Sequence, residues 1–218
     1  MEYLNEEKRG AAPRRKTRLA YHAVKRTFDF CFSLLCIIGL IPLFLIVSIV
    51  IRIDSPGPAF FIQTRVGEDG KLFKMYKFRS MCVDAEERLS SLQKLNERDG
   101  PAFKMKHDPR VTRVGHILRK TCLDELPQLF NILRGEMSFV GPRPALPKEV
   151  EQYTLRQRGR LAATPGLTCY WQVRKDSCST FDEWVALDLK YIREQSVRVD
   201  LRLIFATIHI VFTGKGAD

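Results

Sequence analysis

Two adjacent carboxylates, Asp124 and Glu125, are the residues of this chain best suited to do chemistry. They lie in the stretch TCLDELPQLFNILR, residues 121–134. Pro127 has no N–H to donate, so it is tolerated in the first turn of a helix, and the apolar residues around it recur at helical spacing. The pattern predicts a helix that begins near Leu123, with both carboxylates in its first turn at the positive end of the helix dipole. Acidic first turns are common for that reason alone.

Basic residues flank the acidic pair in the sequence. Arg119 precedes it, and Arg143 follows in SFVGPRP, where two prolines stiffen the backbone and favour a bidentate grip on phosphate. A carboxylate can attack phosphorus as a nucleophile, and phosphate charge must be held by Mg²⁺ or by basic side chains. A second carboxylate beside the nucleophile is a natural magnesium ligand. These residue types therefore favour phosphoryl chemistry.

The amino-acid composition indicates which kinds of partner the protein can bind. The 218 residues include 36 Lys and Arg against 25 Asp and Glu, a formal net charge of +11. Such a surplus indicates an anionic partner: a nucleic acid, a phosphorylated small molecule or a membrane surface. The six cysteines form no CxxC pair and predict buried thiols rather than a zinc site or a disulfide framework. The four histidines have no triad-like or metal-ligand spacing.

The N-terminal region divides into a basic arm, residues 1–20, and an apolar membrane helix, residues 21–54. The run FDFCFSLLCIIGLIPLFLIVSIVI, residues 28–51, is long enough as a helix to cross a hydrocarbon layer of about 30 Å. Pro42 lies in its middle and predicts a kink. Positive residues at both ends favour the cytoplasmic side for each. The residues leave a re-entrant and a spanning helix equally open.

The remainder, residues 55–218, reads as an α-rich α+β domain. Two β-prone runs, residues 59–66 and 72–81, flank a Gly-bounded turn and predict a hairpin. The second run, KLFKMYKFRSM, interleaves basic and aromatic residues, as in a single-stranded nucleic-acid platform or an amphipathic strand that meets phosphate or lipid headgroups. Helical patterns follow at residues 84–95, 111–120, 147–160 and 180–194, and an interfacial amphipathic helix at residues 197–212.

Five ordered motifs together resemble the bacterial sugar transferase family of polyprenyl-phosphate phosphoglycosyl transferases. They are KRTFDF (25–30), KFRSM (77–81), LDELPQLFNIL (123–133), GEMSFVGPRP (135–144) and PGLT (165–168). The chain is similar to the small monotopic members, which sit in the bacterial inner membrane with the catalytic domain on the cytoplasmic face. The match to Pro42 implies a re-entrant helix that bends there. The family often has Ser before this proline, where this chain has Ile41.

The resemblance implies a ping-pong transfer of hexose-1-phosphate from a UDP-sugar to undecaprenyl phosphate, with release of UMP. Asp124 matches the nucleophile that carries the phosphosugar, and Glu125 matches its Mg²⁺-binding partner. Arg119 and Arg143 match phosphate-binding positions. Lys77 and Arg79 match the basic strand near the site.

Such an enzyme would start a membrane-linked polysaccharide or glycoconjugate, and its partners would be the two substrates and membrane lipids, with no nucleic acid. The resemblance leaves a homodimer and the identity of the sugar open. The stretch PGLTCYWQV departs from the commoner family pattern at Cys169, Tyr170 and Trp171. The alternative is a non-enzymatic basic module that binds membrane or nucleic acid, which gives the acidic pair no role.

Overall fold

The structure is a computed structural model that describes residues 15–97, 100, 101, 103, 105–173 and 180–213, and only the backbone of residues 15–18 and 212. Residues 1–14 of the predicted arm lie outside the described residues. The described part is α-rich with a small two-stranded antiparallel sheet, as the sequence predicts. In chain order its elements are α1 Arg15–Asp54, β1 Phe60–Val66, β2 Leu72–Phe78, α2 Ala85–Leu92, α3 Arg113–Lys120, α4 Gln128–Arg134, β3 Ser138–Val140, α5 Pro147–Glu151, α6 Leu155–Arg158, β4 Gly166–Thr168, α7 Tyr170–Val173, α8 Phe181–Glu194 and α9 Val197–Thr213.

Helix α1 is the longest element and is apolar over most of its length. It is 40 residues long, or roughly 60 Å at the rise of an α-helix. By length and composition it could cross a membrane, and only 17% of its most apolar window is buried, unlike the core helix of a soluble protein. The helix includes residues 15–20, which the sequence assigned to the arm, and it continues on both sides of Pro42. The predicted break at Pro42 is thus no break in secondary structure, and the re-entrant path stays a prediction.

One face of α1 packs against the body along nearly the whole helix. At its N-terminal end Lys25 forms an ion pair with Asp200 of α9 at 2.9 Å, and Arg26 donates to the carbonyl oxygens of Ile132 and Leu133 that end α4. Further along, Phe44, Val47 and Ile51 enter a cluster with Phe78 of β2 and Leu118 of α3. The opposite face of α1 exposes large apolar side chains, including Leu35, Ile38, Leu45, Ile49 and Ile53.

The predicted hairpin is confirmed and is clamped to α4. β1 and β2 pair antiparallel with Phe60 opposite Phe78 and Val66 opposite Leu72. The other edge of β2 is covered by the fully buried Asn131 of α4, which accepts a hydrogen bond from the N–H of Tyr76 and donates to the carbonyl of Lys74. An edge strand has unpaired backbone groups that need such partners. This clamp fixes β2 beside the segment that carries the acidic pair.

Two predictions about the body need correction. The basic helix predicted over residues 147–160 is two short helices, α5 and α6, because Thr154 and Gln157 form a capping box that starts a new helix. The sequence also missed the parallel pair β3 and β4, in which Val140 lies opposite Thr168. Strands of three residues are too short to display an alternating pattern.

The cysteine prediction is partly wrong. Cys31 and Cys122 are exposed, Cys36 and Cys82 are half-buried and Cys169 is buried. All five described cysteines are free, and Cys178 lies outside the described residues.

Candidate active site

The acidic pair lies in a 3-10 turn, Leu123–Glu125, that precedes α4. This corrects the prediction that both carboxylates sit in the first turn of the α-helix. Pro127 is the N-cap of α4, and Cys122 before the turn has a left-handed backbone with φ of 56°. A non-glycine residue in that region is uncommon and marks a tightly specified chain reversal. The reversal turns the chain from α3 so that Asp124 points inward.

Asp124 is a buried carboxyl whose ionisation is perturbed. Its exposed fraction is 8%. Its pKa is raised to about 6, mainly by burial; the cations Lys77 and Arg119 act in the opposite sense, and the nearby Glu125 adds to the rise. A carboxylate deprived of water but surrounded by cations is ionised at neutral pH and poorly solvated, which favours its use as a nucleophile.

Glu125 faces Lys77 across the site. The Lys77 ammonium donates to Glu125 Oε1 at 2.8 Å, with both side chains partly exposed. Lys77 lies on the inner face of the hairpin, which alternation along β2 shares with Met75. The ion pair joins the strand and the acidic turn, two segments that are 48 residues apart in the sequence.

Arg119 reaches the site from the last turn of α3. Its Nε donates to the hydroxyl of Ser80 at 3.0 Å. Helix α3 approaches Ser80 closely because Gly115 has no side chain: a Cβ there would lie 2.0 Å from the Ser80 carbonyl oxygen. Burial lowers the pKa of Arg119, and the charge of Asp124 raises it. The predicted Arg119 therefore acts on Asp124, held in place by Ser80.

Arg143 lines a pocket beside the acidic turn. Its loop is fixed by two bonds to the segment around β4, from Gly141 N to Thr168 O and from Gly166 N to Pro142 O, both at 2.9 Å. The polar side chains of the pocket wall come from four parts of the chain, namely the hairpin, the acidic turn with α4, the Pro-Arg-Pro loop and α7: Arg65, Lys77, Glu125, Gln128, Arg143 and Gln172. Asp124 is not part of this wall, but its sequence neighbour Glu125 is.

Arg79 and Pro42, two residues on the predicted list, lie elsewhere. The Arg79 guanidinium is buried and donates to the carbonyl oxygens of Ser55 and Pro56 at 2.8 and 2.6 Å. It ties β2 to the loop that follows α1 and does not line the pocket. These contacts give Arg79 a structural role, and its predicted contact with substrate phosphate stays a prediction. Pro42 is inside α1, away from the pocket wall.

Sequence reasoning missed Arg65, Gln128 and Gln172 as pocket residues. For Arg65 a signal existed: the hairpin register puts Gln63 opposite Met75, so Arg65, Gln63, Met75 and Lys77 share one face by period-two alternation. Gln172 falls in the stretch where the sequence departs from the family pattern.

The donor set fits a magnesium ion that binds together with a diphosphate. Asp124 and Glu125 supply adjacent carboxylates, and Glu125 lines the pocket. Within the described residues no cluster of three or more His, Cys, Asp or Glu side chains could hold a metal. Mg²⁺ commonly takes one or two carboxylates and completes its octahedron with water and substrate phosphates.

Comparison with known proteins decides the family. The model of the bacterial sugar transferase family matches residues 20–214. The chain belongs to the bacterial sugar transferase family. That match spans the acidic turn, the basic strand, the Pro-Arg-Pro loop and α9, so the predicted membership in this family of transferase enzymes is confirmed.

Family relatives differ in length. The galactosyl transferase CpsE of Streptococcus agalactiae is 45% identical over 88% of this chain and 43% of its own length. The exopolysaccharide production protein ExoY of Sinorhizobium fredii is 40% identical over 88% of this chain and 87% of its own. The undecaprenyl-phosphate galactose phosphotransferase of Salmonella typhimurium is 41% identical over 89% of this chain and 41% of its own. The chain thus spans less than half of the two longer relatives and most of ExoY.

Proposed function

We propose that this protein transfers a hexose-1-phosphate from a UDP-sugar to undecaprenyl phosphate and releases UMP. The observation that carries the proposal is Asp124, a buried carboxyl with a raised pKa beside two cations and a basic pocket. The names of its relatives, which include a galactose and a glucose phosphotransferase acting on undecaprenyl phosphate, support the substrate class. A binding module without catalysis would need no perturbed carboxylate at this position.

The first half-reaction is a displacement at the phosphorus that carries the sugar. A carboxylate oxygen of Asp124 attacks that phosphorus, the bond to the bridging oxygen breaks, and the electron pair leaves with the UMP phosphate. Lys77 and Arg119 hold Asp124 in its ionised form and offset charge on the phosphoryl oxygens. Arg143 holds the substrate diphosphate at the pocket wall.

The second half-reaction restores the carboxylate. A phosphate oxygen of undecaprenyl phosphate attacks the phosphorus of the acyl phosphate, and the bond to Asp124 breaks. The product is a lipid diphosphosugar, and no proton or co-reactant is left over. When bound, Mg²⁺ neutralises charge on the diphosphate, and Glu125, with Asp124, is the side chain that would hold it.

The same proposal includes a monotopic position at the cytoplasmic face of the inner membrane. Helix α1 contacts the body from Lys25 to Ile51, so an upright crossing would draw charged surface of the body into hydrocarbon, which is costly. A second apolar face is exposed on α9, at Val197, Leu201, Phe205 and Ile208. Both faces support contact with the membrane, with α9 in the interface. Return of α1 to the same leaflet requires a bend, for which Pro42 is the proposed position.

Membrane topology is tested with single cysteines at Ala20 and Pro58, both exposed, in a cysteine-free background. A membrane-impermeant thiol reagent added from the periplasmic side should label neither position. Labelling at one position alone would mean that α1 spans the membrane.

Activity is tested by UMP release from a panel of UDP-sugars with Mg²⁺ present. Wild-type protein should release UMP from at least one UDP-hexose, and the identity of that sugar follows from the panel. Asp124→Asn should reduce release by roughly a thousandfold or more, because the nucleophile is removed. Asp69→Asn is the matched control, since Asp69 lies in an exposed turn with φ of 54°, a conformation that Asn tolerates. Full release by Asp124→Asn would refute the nucleophile.

A further inference from the structure

Arg65 is a buried cation that forms no ion pair with any carboxylate of the described residues. Its exposed fraction is 8%. Nη1 donates to the Pro144 carbonyl at 3.1 Å and Nη2 to Gln63 Oε1 at 2.6 Å, while Nε has no hydrogen-bond partner among the described residues. Arg110 and Arg160, two other buried arginines, each form an ion pair with an aspartate. Arg79 resembles Arg65 in having no ion pair within the described part of the chain and an Nε without a hydrogen-bond partner there, but it does not line the pocket. An uncompensated buried charge is costly and is retained where something else compensates it.

A second cation lies next to Arg65. Arg143 lines the same pocket. Burial and the charge of Arg143 lower the pKa of Arg65 to about 10, against the opposing effect of Glu149 and Glu125. Neither arginine takes part in an ion pair of the described residues. Two like charges side by side in a partly desolvated pocket repel each other, so the pocket is most stable with an anion between them.

Charge counting indicates the kind of anion. Of the charged residues that line the pocket, Lys77 and Glu125 form an ion pair with each other. The charges of Arg65 and Arg143 remain, and Glu149 outside the lining offsets part of the charge of Arg65. A phosphate dianion carries the opposite charge and accepts bidentate hydrogen bonds from guanidinium groups.

The backbone around the two arginines is built to keep them together. Val66 N donates to Ala145 O at 2.9 Å, and the adjacent Arg65 holds the Pro144 carbonyl. The end of β1 is therefore bonded directly to the loop that presents Arg143. A change in one segment moves the other.

We propose that Arg65 and Arg143 form a two-arginine subsite that binds the phosphate of the leaving nucleotide. The subsite rests on the proposed function for the identity of its ligand. Lys77 and Glu125 define the end of the pocket next to Asp124, where the sugar-linked phosphate must lie, and the arginine pair takes the phosphate that departs as UMP. Arg65 stabilises the charge that develops on UMP as the bond to the bridging oxygen breaks.

The experiment compares equilibrium binding of UMP and uridine, which differ only by the phosphate. In Arg65→Gln the ratio of the uridine Kd to the UMP Kd should fall about tenfold or more, while uridine affinity is unchanged, because only the charge-assisted contact is lost. Arg65→Lys keeps the charge without the fork, so its ratio should lie between the wild type and the glutamine variant. If Arg65→Gln does not fold, the Kd ratio of Arg65→Lys tests the subsite.

Arg26→Gln is the control, since Arg26 also donates to two backbone carbonyls but lies outside the pocket. Its ratio should equal that of the wild type. An unchanged ratio in Arg65→Gln, or equal losses for UMP and uridine, would overturn the subsite, because the second outcome means that Arg65 only supports the pocket.

A second arm asks whether the phosphate belongs to the lipid instead. The acceptor phosphate attacks from the side that UMP leaves, so single-turnover transfer from the phosphosugar-enzyme to a short polyprenyl phosphate should slow in Arg65→Gln together with the fall in the UMP ratio. Slow transfer with an unchanged UMP ratio would assign Arg65 to the acceptor and refute the nucleotide assignment. The proposed function fails separately: a wild-type protein that prefers UMP to uridine but releases no UMP from any UDP-sugar has the subsite and another reaction.

Discussion

Asp124 and Asp188 are two carboxyl groups with the same perturbation and different surroundings. Burial is the main cause in both, and the pKa of each is raised to about 6. Asp188 of α8 is 1% exposed and its Oδ2 lies 2.5 Å from Arg160 Nη2. The Arg160 guanidinium is enclosed by the rings of Tyr153, Phe181 and Trp184, the closest with its centroid at 4.7 Å.

The difference between the two shows what separates a reactive carboxyl from a structural one. Asp188 has one cation, at contact distance, and a closed aromatic shell. Asp124 has two cations near it, Lys77 and Arg119, and its neighbour Glu125 is a second carboxylate that lines the pocket. A raised pKa marks burial in both cases. The reactive carboxyl differs from the structural one in two respects: a substrate can reach its surroundings, and more than one cation lies near it.

The largest expected effects come from replacing Asp188 and Asp124, each by Asn: one variant should lose stability and the other should lose activity. Asp188→Asn should lower the free energy of unfolding by about 3–5 kcal/mol, because it leaves the Arg160 charge buried without its partner, yet the folded fraction should keep the wild-type rate of UMP release. Asp124→Asn should keep at least the stability of the wild type and lose UMP release. Denaturant unfolding in detergent and UMP release per folded molecule measure the two. Asp182→Asn, on the exposed side of α8, should change stability by less than about 0.5 kcal/mol.

A paired replacement sharpens the structural side of the comparison. Asp188→Leu with Arg160→Met removes both buried charges and should recover most of the stability lost in Asp188→Leu alone, since apolar replacement of a whole buried pair is often neutral or stabilising. Thermal unfolding of the single and double variants gives the coupling energy. A double variant no more stable than the single one would mean that the pair is not the reason for the loss.

The pH dependence of stability tests the raised pKa of Asp124. The folded pKa, about 6, is above the reference value of 3.8, so the folded state holds this proton more tightly than the unfolded state. The contribution is fully present below about pH 4 and is lost as pH rises through 6. The stability of metal-free Asp124→Asn relative to wild type should therefore increase from pH 4 to pH 7, by on the order of 1–3 kcal/mol. A constant difference across this range would contradict the shift.

The smallest effect concerns the positioning of Arg119. Ser80→Ala removes the acceptor at 3.0 Å from Arg119 Nε and should lower kcat/KM for UMP release about tenfold, which corresponds to about 1.4 kcal/mol, close to the lower value for one hydrogen bond to a charged group. Ser90→Ala, an exposed serine in α2, should leave the rate unchanged. An unaltered rate in Ser80→Ala would show that Arg119 needs no support from Ser80.

Local patterns in the sequence were sufficient for much of this structure. Two β-prone runs around a Gly-bounded turn predicted the hairpin, and helical spacing predicted α8, which the structure shows to begin with a Thr180 capping box. The identities of Asp124, Glu125, Arg119, Arg143 and Lys77 were available from local motifs, and these residues meet around the pocket and the acidic turn.

Contacts between segments distant in the chain could not be predicted from the sequence. Cys122 has a left-handed backbone, and Asp124 lies in the 3-10 turn that follows it, outside the α-helix. No local residue preference predicts this conformation at Cys122. Arg79 and Arg65 both come from the hairpin, and only the register and the packing of its faces assign one to a loop and the other to the pocket. The pairing of Arg160 with Asp188, 28 positions apart, likewise depends on tertiary packing.

The central claim is that Asp124 becomes covalently linked to the phosphosugar. Intact-mass analysis of the protein incubated with its UDP-sugar and Mg²⁺, without lipid acceptor, tests it directly. The account predicts a mass increase of one phosphosugar in the wild type, mapped to Asp124, absent in Asp124→Asn and lost when a polyprenyl phosphate is added. Rapid turnover with lipid and no adduct in its absence would contradict the account and favour direct attack by the lipid phosphate.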